Sequence, residues 1–153
     1  MDEKKEIKSN LKQRLLILED DIVNTQLLLR LLKNLYDMDF VNKGEDALKY
    51  AVEKNYDVFL IDIGLPGNMN GIQATKELKK IKDNNNKPFI AMTAFALAVD
   101  KNHFLNEGLT HYISKPFEFN KLIELIGSAL EKTTVQDTEQ TKAKEIFSDK
   151  TNL

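Results

Sequence analysis

The sequence predicts an α/β fold, in which a doubly wound, five-stranded parallel sheet carries helices on both of its faces. Short apolar segments alternate with amphipathic segments five times along the chain, as in repeated strand–helix units. The apolar segments are continuous rather than alternating, which is typical of strands that are covered on both faces. The intervening segments carry apolar residues at the spacing of a helical face.

The first two units are predicted from two apolar runs, each followed by a helical pattern. "LLIL" at 15–18 is short and wholly apolar, which favours a buried strand. The segment 24–35 is predicted to be a helix because its leucines recur at i, i+4 spacing. These leucines are Leu27, Leu28, Leu31, Leu32 and Leu35. Weaker patterns predict a short strand over 38–42 and a short helix over 44–55.

The third unit contains the clearest strand of the sequence. "VFLID" at 58–62 is a run of apolar residues that ends on a carboxylate. The helix predicted over 71–82 places three apolar residues on one face, namely Ile72, Leu78 and Ile81.

The fourth and fifth units complete the pattern. Strands are predicted over 88–94 and 111–114 from their apolar runs. Between them, a weaker helix is predicted over 97–107, and Gly108 is expected to end it as a C-cap glycine. The last helix is predicted over 118–131. Its inward residues are expected to be Leu122, Leu125, Ile126 and Leu130.

The chain is expected to form one domain with polar ends. Its 153 residues suit one ordinary domain and are few for two. We place that domain at 14–131, after a polar N-terminal extension at 1–13. The composition changes after Glu131, so 132–153 is predicted to be a polar tail, at best with a frayed helix over 138–147.

Composition excludes several function classes. The chain has no cysteine, so thiol catalysis and thiolate metal sites are excluded. A net charge of −2 gives no indication of nucleic-acid binding, for which a basic chain is usual. No signal peptide and no run of about 18 apolar residues is present. We therefore expect a cytoplasmic protein that does not bind a membrane.

Polar residues with complementary chemistry follow the predicted strands. Ligands of open parallel sheets bind at the carboxyl ends of the strands. The residues found there are Glu19, Asp20 and Asp21 after the first strand, Asp62 after the third, Thr93 after the fourth, and Ser114 and Lys115 after the fifth. Each alone has a plain explanation, such as a helix N-cap or a turn. Because all of them are expected at the same edge of the sheet, together they favour a ligand-binding or catalytic site there.

The chemistry of such a site follows from its charges. Carboxylates held close together repel one another unless a cation is present, and oxygen ligands alone suit Mg²⁺. A cation, a lysine and a hydroxyl group can stabilise a phosphoryl group in transfer, with an aspartate as its acceptor. We therefore expect Asp62 to be a nucleophile at the end of a rigid strand.

Four spaced segments carry a family resemblance that covers 14–131. They are "LILEDD" (16–21), "FLIDIGLP" (59–66), "IAMTA" (90–94) and "YISKPF" (112–117). In this order they resemble the receiver domain of response regulators of two-component signal transduction. The resemblance implies a flavodoxin-like (CheY-like) fold with strand order 2-1-3-4-5. It implies a signalling phosphoacceptor rather than an enzyme. Such a phosphoacceptor assists only its own phosphorylation and dephosphorylation.

The resemblance also implies a role for individual residues. Asp62 would accept the phosphoryl group from a histidine kinase or a histidine phosphotransfer protein. Mg²⁺ would be held by Asp20, by Glu19 directly or through water, by Asp62 and by the backbone carbonyl of Gly64. Lys115 would pair with the phosphoryl oxygens. Thr93 would move towards the phosphate and let Tyr112, the switch aromatic, swing inward. The resemblance does not identify the downstream protein target, and it does not decide whether the chain forms a homodimer.

Three features depart from the common pattern of the family. The segment "PGNMNG" at 66–71 has one residue more than is usual between the proline and the glycine that opens the third helix. Gly64 offers no side chain near an attacking water. Phe95 is bulky and apolar where a polar group would orient that water. Because neither Gly64 nor Phe95 can orient the attacking water, we expect a long-lived aspartyl phosphate.

Alternatives stay open at this point. A degenerate receiver would bind partners without being phosphorylated. A phosphatase of the haloacid dehalogenase type would also use an aspartate nucleophile, but it usually carries a second aspartate where Gly64 stands. A flavin-binding module would place phosphate at "EDDIVN" (19–24), which would repel it. The same segment, with Asn24 three residues after Asp21, also resembles receivers that are attached to hybrid histidine kinases. The chain is therefore expected to be either a free-standing regulator or part of such a kinase.

Overall fold

The computed structural model describes residues 11–94 and 101–132. Five parallel strands form a sheet in the order β2-β1-β3-β4-β5. The strands are β1 (Arg14–Leu18), β2 (Asp37–Val41), β3 (Val58–Asp62), β4 (Phe89–Thr93) and β5 (His111–Ser114). The helices are α1 (Ile22–Leu32), α2 (Gly44–Glu53), α3 (Gly71–Lys79), α4 (Lys101–Asn106) and α5, helical over 119–132. The predicted fold class and strand order are confirmed.

The sheet separates two apolar cores because successive strand residues point to opposite faces. In β3, Phe59 and Ile61 pack on the side of α2, α3 and α4, whereas Val58 and Leu60 pack on the side of α1 and α5. All five residues of β3 are buried. The central strand is therefore fixed from both faces, and Asp62 stands at the end of a rigid support.

The first helix differs from its prediction. Leu28 and Leu32 are buried, but the side chains of Leu27 and Leu35 are 40% and 46% exposed. Leu27 precedes Leu28 by one residue, which turns it about 100° away from the core. Leu35 lies beyond the end of α1, in the turn before β2. The run of leucines is therefore wider than the face that the sheet covers.

The third helix is shorter than predicted. It ends at Lys79 rather than at residue 82, and Lys82 has a positive φ of 52°. Such a backbone conformation cannot continue a right-handed helix. Gly108 has a φ of +96°, in agreement with its predicted role after α4.

Some predictions concern residues outside the described ranges. These are Phe95, the start of the fourth helix at 97–100, most of the N-terminal extension at 1–10, and the tail from 133 onward with its frayed helix over 138–147. Among the described residues, no helix is long and apolar enough to cross a membrane.

Candidate functional site

Three carboxylates meet where β1 and β3 end. These strands are neighbours, with Leu18 opposite Ile61, so the residues that follow Leu18 lie beside Asp62. Glu19, Asp20 and Asp62 each offer a carboxylate oxygen within 4.8 Å of those of the other two. Glu19 and Asp62 are only 2% and 6% exposed, whereas Asp20 is exposed.

A lysine reaches this cluster from the edge of the sheet. The Nζ atom of Lys115 lies 2.8 Å from Oε2 of Glu19 and 3.2 Å from Oδ2 of Asp62. Lys115 directly follows β5, and its backbone N–H donates to the carbonyl oxygen of Thr93, at the end of β4, over 2.8 Å. Neighbouring strand ends thus bring one cation to two carboxylates that are more than 40 residues apart in sequence.

Backbone donors fix the orientation of the two buried carboxylates. Oδ1 of Asp62 accepts a hydrogen bond from the N–H of Gly64 at 2.9 Å. Oε1 of Glu19 accepts one from the N–H of Asp21 at 3.2 Å. Because each carboxylate also faces Lys115, its two oxygens have different partners and its direction is set.

The third acid after β1 has a different task. Oδ1 of Asp21 accepts hydrogen bonds from the N–H groups of Val23 and Asn24, at 2.8 and 3.1 Å. Asp21 is therefore the N-cap of α1, the plain explanation that the sequence also allowed. This cap starts α1 at Ile22, two residues before its predicted beginning.

Burial and the charges of the site shift two pKa values. Burial raises the pKa of Glu19, and the Asp62 carboxylate adds to this, although Lys115 and the Asp21 N–H act in the opposite sense. Burial alone would lower the pKa of Lys115, but the hydrogen-bonding and charge interactions with Glu19 and Asp62 outweigh burial and raise it. Lys115 therefore stays protonated at neutral pH.

The donor set suits a hard divalent cation. All of its side-chain ligands are oxygens, which is what Mg²⁺ prefers. Oε2 of Glu19 is buried, and among the described residues it faces the ammonium of Lys115 at 2.8 Å. The three carboxylates and Lys115 carry two excess negative charges when ionised, so a divalent cation would neutralise them.

Thr93 and Tyr112 lie on β4 and β5, the two strands that follow β3 in the sheet. Thr93 is the last residue of β4 and is 5% exposed. The side chain of Tyr112 on β5 is 40% exposed, and its ring centroid is 6.4 Å from that of Phe104 on α4. Tyr112 also lines a cavity of about 260 Å³ between α4 and α5, together with Phe104 and Leu125.

Gly71 supports the site, although the sequence marked it only as the start of a helix. A Cβ atom at this position would overlap with the carbonyl oxygen of Asp62 and lie 3.0 Å from its carbonyl carbon. Only glycine therefore lets α3 begin directly against the end of β3. No local pattern reveals this requirement, because it arises from two segments that meet in space.

Comparisons with known proteins agree with the fold. Residues 15–127 match the family described as "Response regulator receiver domain". The chain is 36% identical over 116 residues to the polar-differentiation response regulator DivK of Brucella ovis, a match that covers 75% of this chain and 94% of DivK. It is 35% identical over 126 residues to hybrid signal transduction histidine kinase I of Dictyostelium discoideum. That match covers 77% of this chain and only 7% of the kinase.

Solved structures show the same architecture. The receiver domain of the sensor histidine kinase PA1611 from Pseudomonas aeruginosa has a TM-score of 0.71 and 31% identity, covering 78% of this chain and 98% of that domain. That structure holds a magnesium ion coordinated in the active site cleft. The chemotaxis protein CheY4 of Vibrio cholerae has a TM-score of 0.73 at 22% identity, covers 78% of this chain and 99% of CheY4, and supports the fold alone.

Proposed function

The chain belongs to the family of response regulator receiver domains of two-component signalling, and we propose that it accepts a phosphoryl group on Asp62 with the help of Mg²⁺. One observation carries this proposal. Asp62, at the end of a fully buried strand, faces a protonated lysine and stands within a cluster of three carboxylates. A nucleophile, a cation for the phosphoryl oxygens and ligands for a metal ion thus occupy one edge of the sheet.

In the proposed reaction, a carboxylate oxygen of Asp62 attacks the phosphorus of a phosphohistidine on a partner. A new O–P bond forms, the P–N bond breaks, and its electron pair stays on the imidazole nitrogen. Asp62 suits this role because β3 is buried along its whole length and the N–H of Gly64 orients its carboxylate. Lys115 offers a positive charge to the phosphoryl oxygens.

Mg²⁺ would be held by Asp20, Glu19, Asp62 and the backbone carbonyl of Gly64. When bound, the ion would neutralise charge on the transferring phosphoryl group. The carboxylates of Glu19 and Asp20 would bind and orient it, and the exposure of Asp20 leaves that side accessible to solvent. Among relatives, the magnesium-containing PA1611 receiver supports this assignment.

The output of the switch is proposed to pass through β4 and β5. Thr93 would approach the phosphorylated Asp62, and Tyr112, whose side chain is 40% exposed, would then turn inward. The surface of α4, β5 and α5 would change and select a protein partner. Relatives of both kinds match the chain, a small response regulator and a hybrid kinase, so either context fits, with a histidine kinase or phosphotransfer protein as donor.

The test is intact mass after incubation with acetyl phosphate and Mg²⁺. Wild type should gain one phosphoryl group, whereas Asp62→Asn and a sample with EDTA should gain none. Asp37→Asn is the matched control because Asp37 is an exposed carboxylate at the beginning of β2, away from the carboxyl ends of the strands where the site lies. The decay of the adduct then tests the expected long lifetime, for which loss as fast as in chemotaxis regulators would be the contrary result.

Other outcomes would point to other functions. Failure of wild type to gain a phosphoryl group, and to bind beryllofluoride, would indicate a degenerate receiver that acts as a binding module. Turnover of phosphate esters would indicate a phosphatase, although Gly64 lacks the acid/base side chain that such an enzyme needs.

A further inference from the structure

The loop after Asp62 is anchored at two points with an exposed tip between them. Leu65 is 6% exposed and belongs to the core under α2 and α3, and Met69 packs against the same core. Pro66, Gly67 and Asn68 between them are exposed. Gly67 has a φ of +108°, so the tip turns sharply. The tip of this loop therefore lies in solvent, while its two ends stay packed.

The second anchor depends on a glycine of another element. A Cβ atom at Gly44, the first residue of α2, would lie 2.7 Å from Sδ and 2.8 Å from Cγ of Met69, and 3.2 Å from its Cβ. Met69 therefore lies directly over the backbone of Gly44, in space that any other residue would fill. Gly44 has no positive φ, so other residues could adopt its backbone conformation. The reason for a glycine here is therefore steric, because a larger side chain would overlap with Met69.

Both ends of this loop meet Asp62. At its start, the N–H of Gly64 donates to Oδ1 of Asp62 at 2.9 Å. At its end, Gly71 packs against the carbonyl of Asp62. Between Met69 and Gly71, Asn70 caps α3 by a reciprocal pair of hydrogen bonds with Gln73, each of 2.9 Å. A shift of Met69 would therefore be transmitted towards Gly64 and the carboxylate.

We propose that Met69, seated over Gly44, is a positioning residue that holds the loop so that Gly64 stays against the Asp62 carboxylate. Its consequence for Mg²⁺ rests on the proposed function, because the carbonyl of Gly64 is a proposed ligand. Its consequence for the N–H of Gly64 rests on the geometry alone. An ordinary core contact would contribute stability without any effect on Gly64, and this difference can be measured.

The test compares Met69→Ala with Met38→Ala. Met38 is also half-buried, but it lies on β2 and packs against the opposite core, so its truncation reports the general cost of losing a methionine. In metal-free protein, solvent exchange of the Gly64 amide, measured by NMR, should rise at least about threefold in Met69→Ala and stay within about twofold in Met38→Ala. The dissociation constant for Mg²⁺, measured by calorimetry, should rise by about threefold to tenfold in Met69→Ala only.

Gly44→Ala approaches the same contact from the other side. Alanine favours helix more than glycine, so this change would stabilise α2 if Met69 were not in the way. We expect instead the same changes at Gly64 and in Mg²⁺ binding as in Met69→Ala. In the double variant, Gly44→Ala should add little to the effect of Met69→Ala, because the contacts with Sδ and Cγ are already lost and only the 3.2 Å contact with Cβ of residue 69 remains.

The outcomes separate this inference from the proposed function. Gly64 exchange that is unchanged in Met69→Ala, with stability lowered as in Met38→Ala, would refute the positioning role. Additive effects in the double variant would refute the contact as its cause. If wild type neither binds Mg²⁺ nor gains a phosphoryl group while Gly64 still responds to Met69→Ala, the proposed function fails and the positioning role stands.

Discussion

At the scale of residues, Lys115 is the cation that the site itself supplies. Its ammonium lies between the carboxylates of Glu19 and Asp62, which are both almost fully buried. Removing one partner of such a group leaves the others uncompensated, and this costs more than the net value of the pair. Lys115 therefore neutralises part of the charge of the cluster, and a bound metal ion would neutralise the rest.

We predict that Lys115→Met lowers the free energy of unfolding by about 1–3 kcal/mol in the absence of Mg²⁺, because it leaves buried acceptors without their partner. Added Mg²⁺ should restore most of this loss because it supplies the missing positive charge. Urea unfolding with and without Mg²⁺ measures both effects. Lys121→Met is the matched control, since Lys121 is an exposed partner of Glu118 and such pairs contribute little. Equal losses in the two variants would contradict the prediction.

A second ionised group stabilises the fold away from the site. The hydroxyl of Tyr56, a residue that is 1% exposed, donates to Oδ2 of Asp39 at 2.6 Å, and Lys54 lies 3.2 Å from the same oxygen. Burial alone would raise the pKa of Asp39, but the Tyr56 hydroxyl and the Lys54 ammonium outweigh it, so the pKa is lowered. The ionised form of Asp39 is thus favoured in the folded state.

We predict that Tyr56→Phe lowers the free energy of unfolding by about 1–2 kcal/mol at neutral pH. Because the folded pKa of Asp39 lies below its unfolded value, this stabilisation is present above the unfolded pKa and is lost as pH falls through the folded one. The difference from wild type should therefore shrink below about pH 4. Unfolding by urea from pH 7 to pH 3 measures it.

Tyr36→Phe is the control for this pH dependence, because burial alone raises the pKa of Tyr36. Its effect on stability should not change over the same range. A difference between Tyr56→Phe and wild type that is independent of pH would show that Asp39 is not the cause.

At the scale of elements, the junction of β3 with α3 depends on close backbone approach. Gly71 lies against the carbonyl of Asp62, and the capping box of Asn70 and Gln73 starts the helix at that point. Helix α3 therefore has a fixed position relative to the end of β3, and this fixes the distance that the loop between Asp62 and Gly71 must span.

We predict that Gly71→Ala lowers the free energy of unfolding by about 1–3 kcal/mol, because its methyl group forces α3 away from β3. Gly127→Ala is the matched control. Gly127 lies inside α5, where an added Cβ would meet nothing within 4 Å, so alanine should stabilise by about 0.5–1 kcal/mol. Guanidinium unfolding of the two variants compares them, and equal effects of the same sign would exclude steric overlap at Gly71.

At the scale of the whole molecule, a metal ion bound at the acidic cluster would make stability depend on metal concentration. The three carboxylates come from two strands that the sheet holds side by side, so a cation bound there favours the folded chain only. Ligands that bind only the native state stabilise it according to their concentration relative to the dissociation constant.

We predict that Mg²⁺ at ten times its dissociation constant raises the free energy of unfolding by about 1.4 kcal/mol. Asp20→Asn should reduce this gain at the same Mg²⁺ concentration, whereas Asp37→Asn, outside the cluster, should not. Thermal unfolding over a Mg²⁺ titration measures the gain. An equal gain in both variants would place the ion elsewhere.

The sequence by itself determined the fold class and the residues available at one sheet edge. Strand 58–62 was predicted with its observed bounds, because a run of apolar residues bounded by breakers is a local property. Chain order then placed Glu19, Asp62, Thr93 and Lys115 at carboxyl ends of strands, since parallel strands share a direction.

Only the tertiary structure decided which groups touch. In the folded chain, Asp21 caps α1 and Glu19 forms an ion pair with Lys115. Leu27 stays exposed, and Met69 lies over the backbone of Gly44. None of these outcomes follows from periodicity. The contacts of Glu19 and Met69 depend on the distance between segments that are far apart in the chain, and the exposure of Leu27 depends on the width of the face that the sheet covers. The cap of Asp21 is local, but periodicity does not show which of three successive acids accepts from Val23 and Asn24. Local patterns specify the elements, whereas packing specifies their contacts.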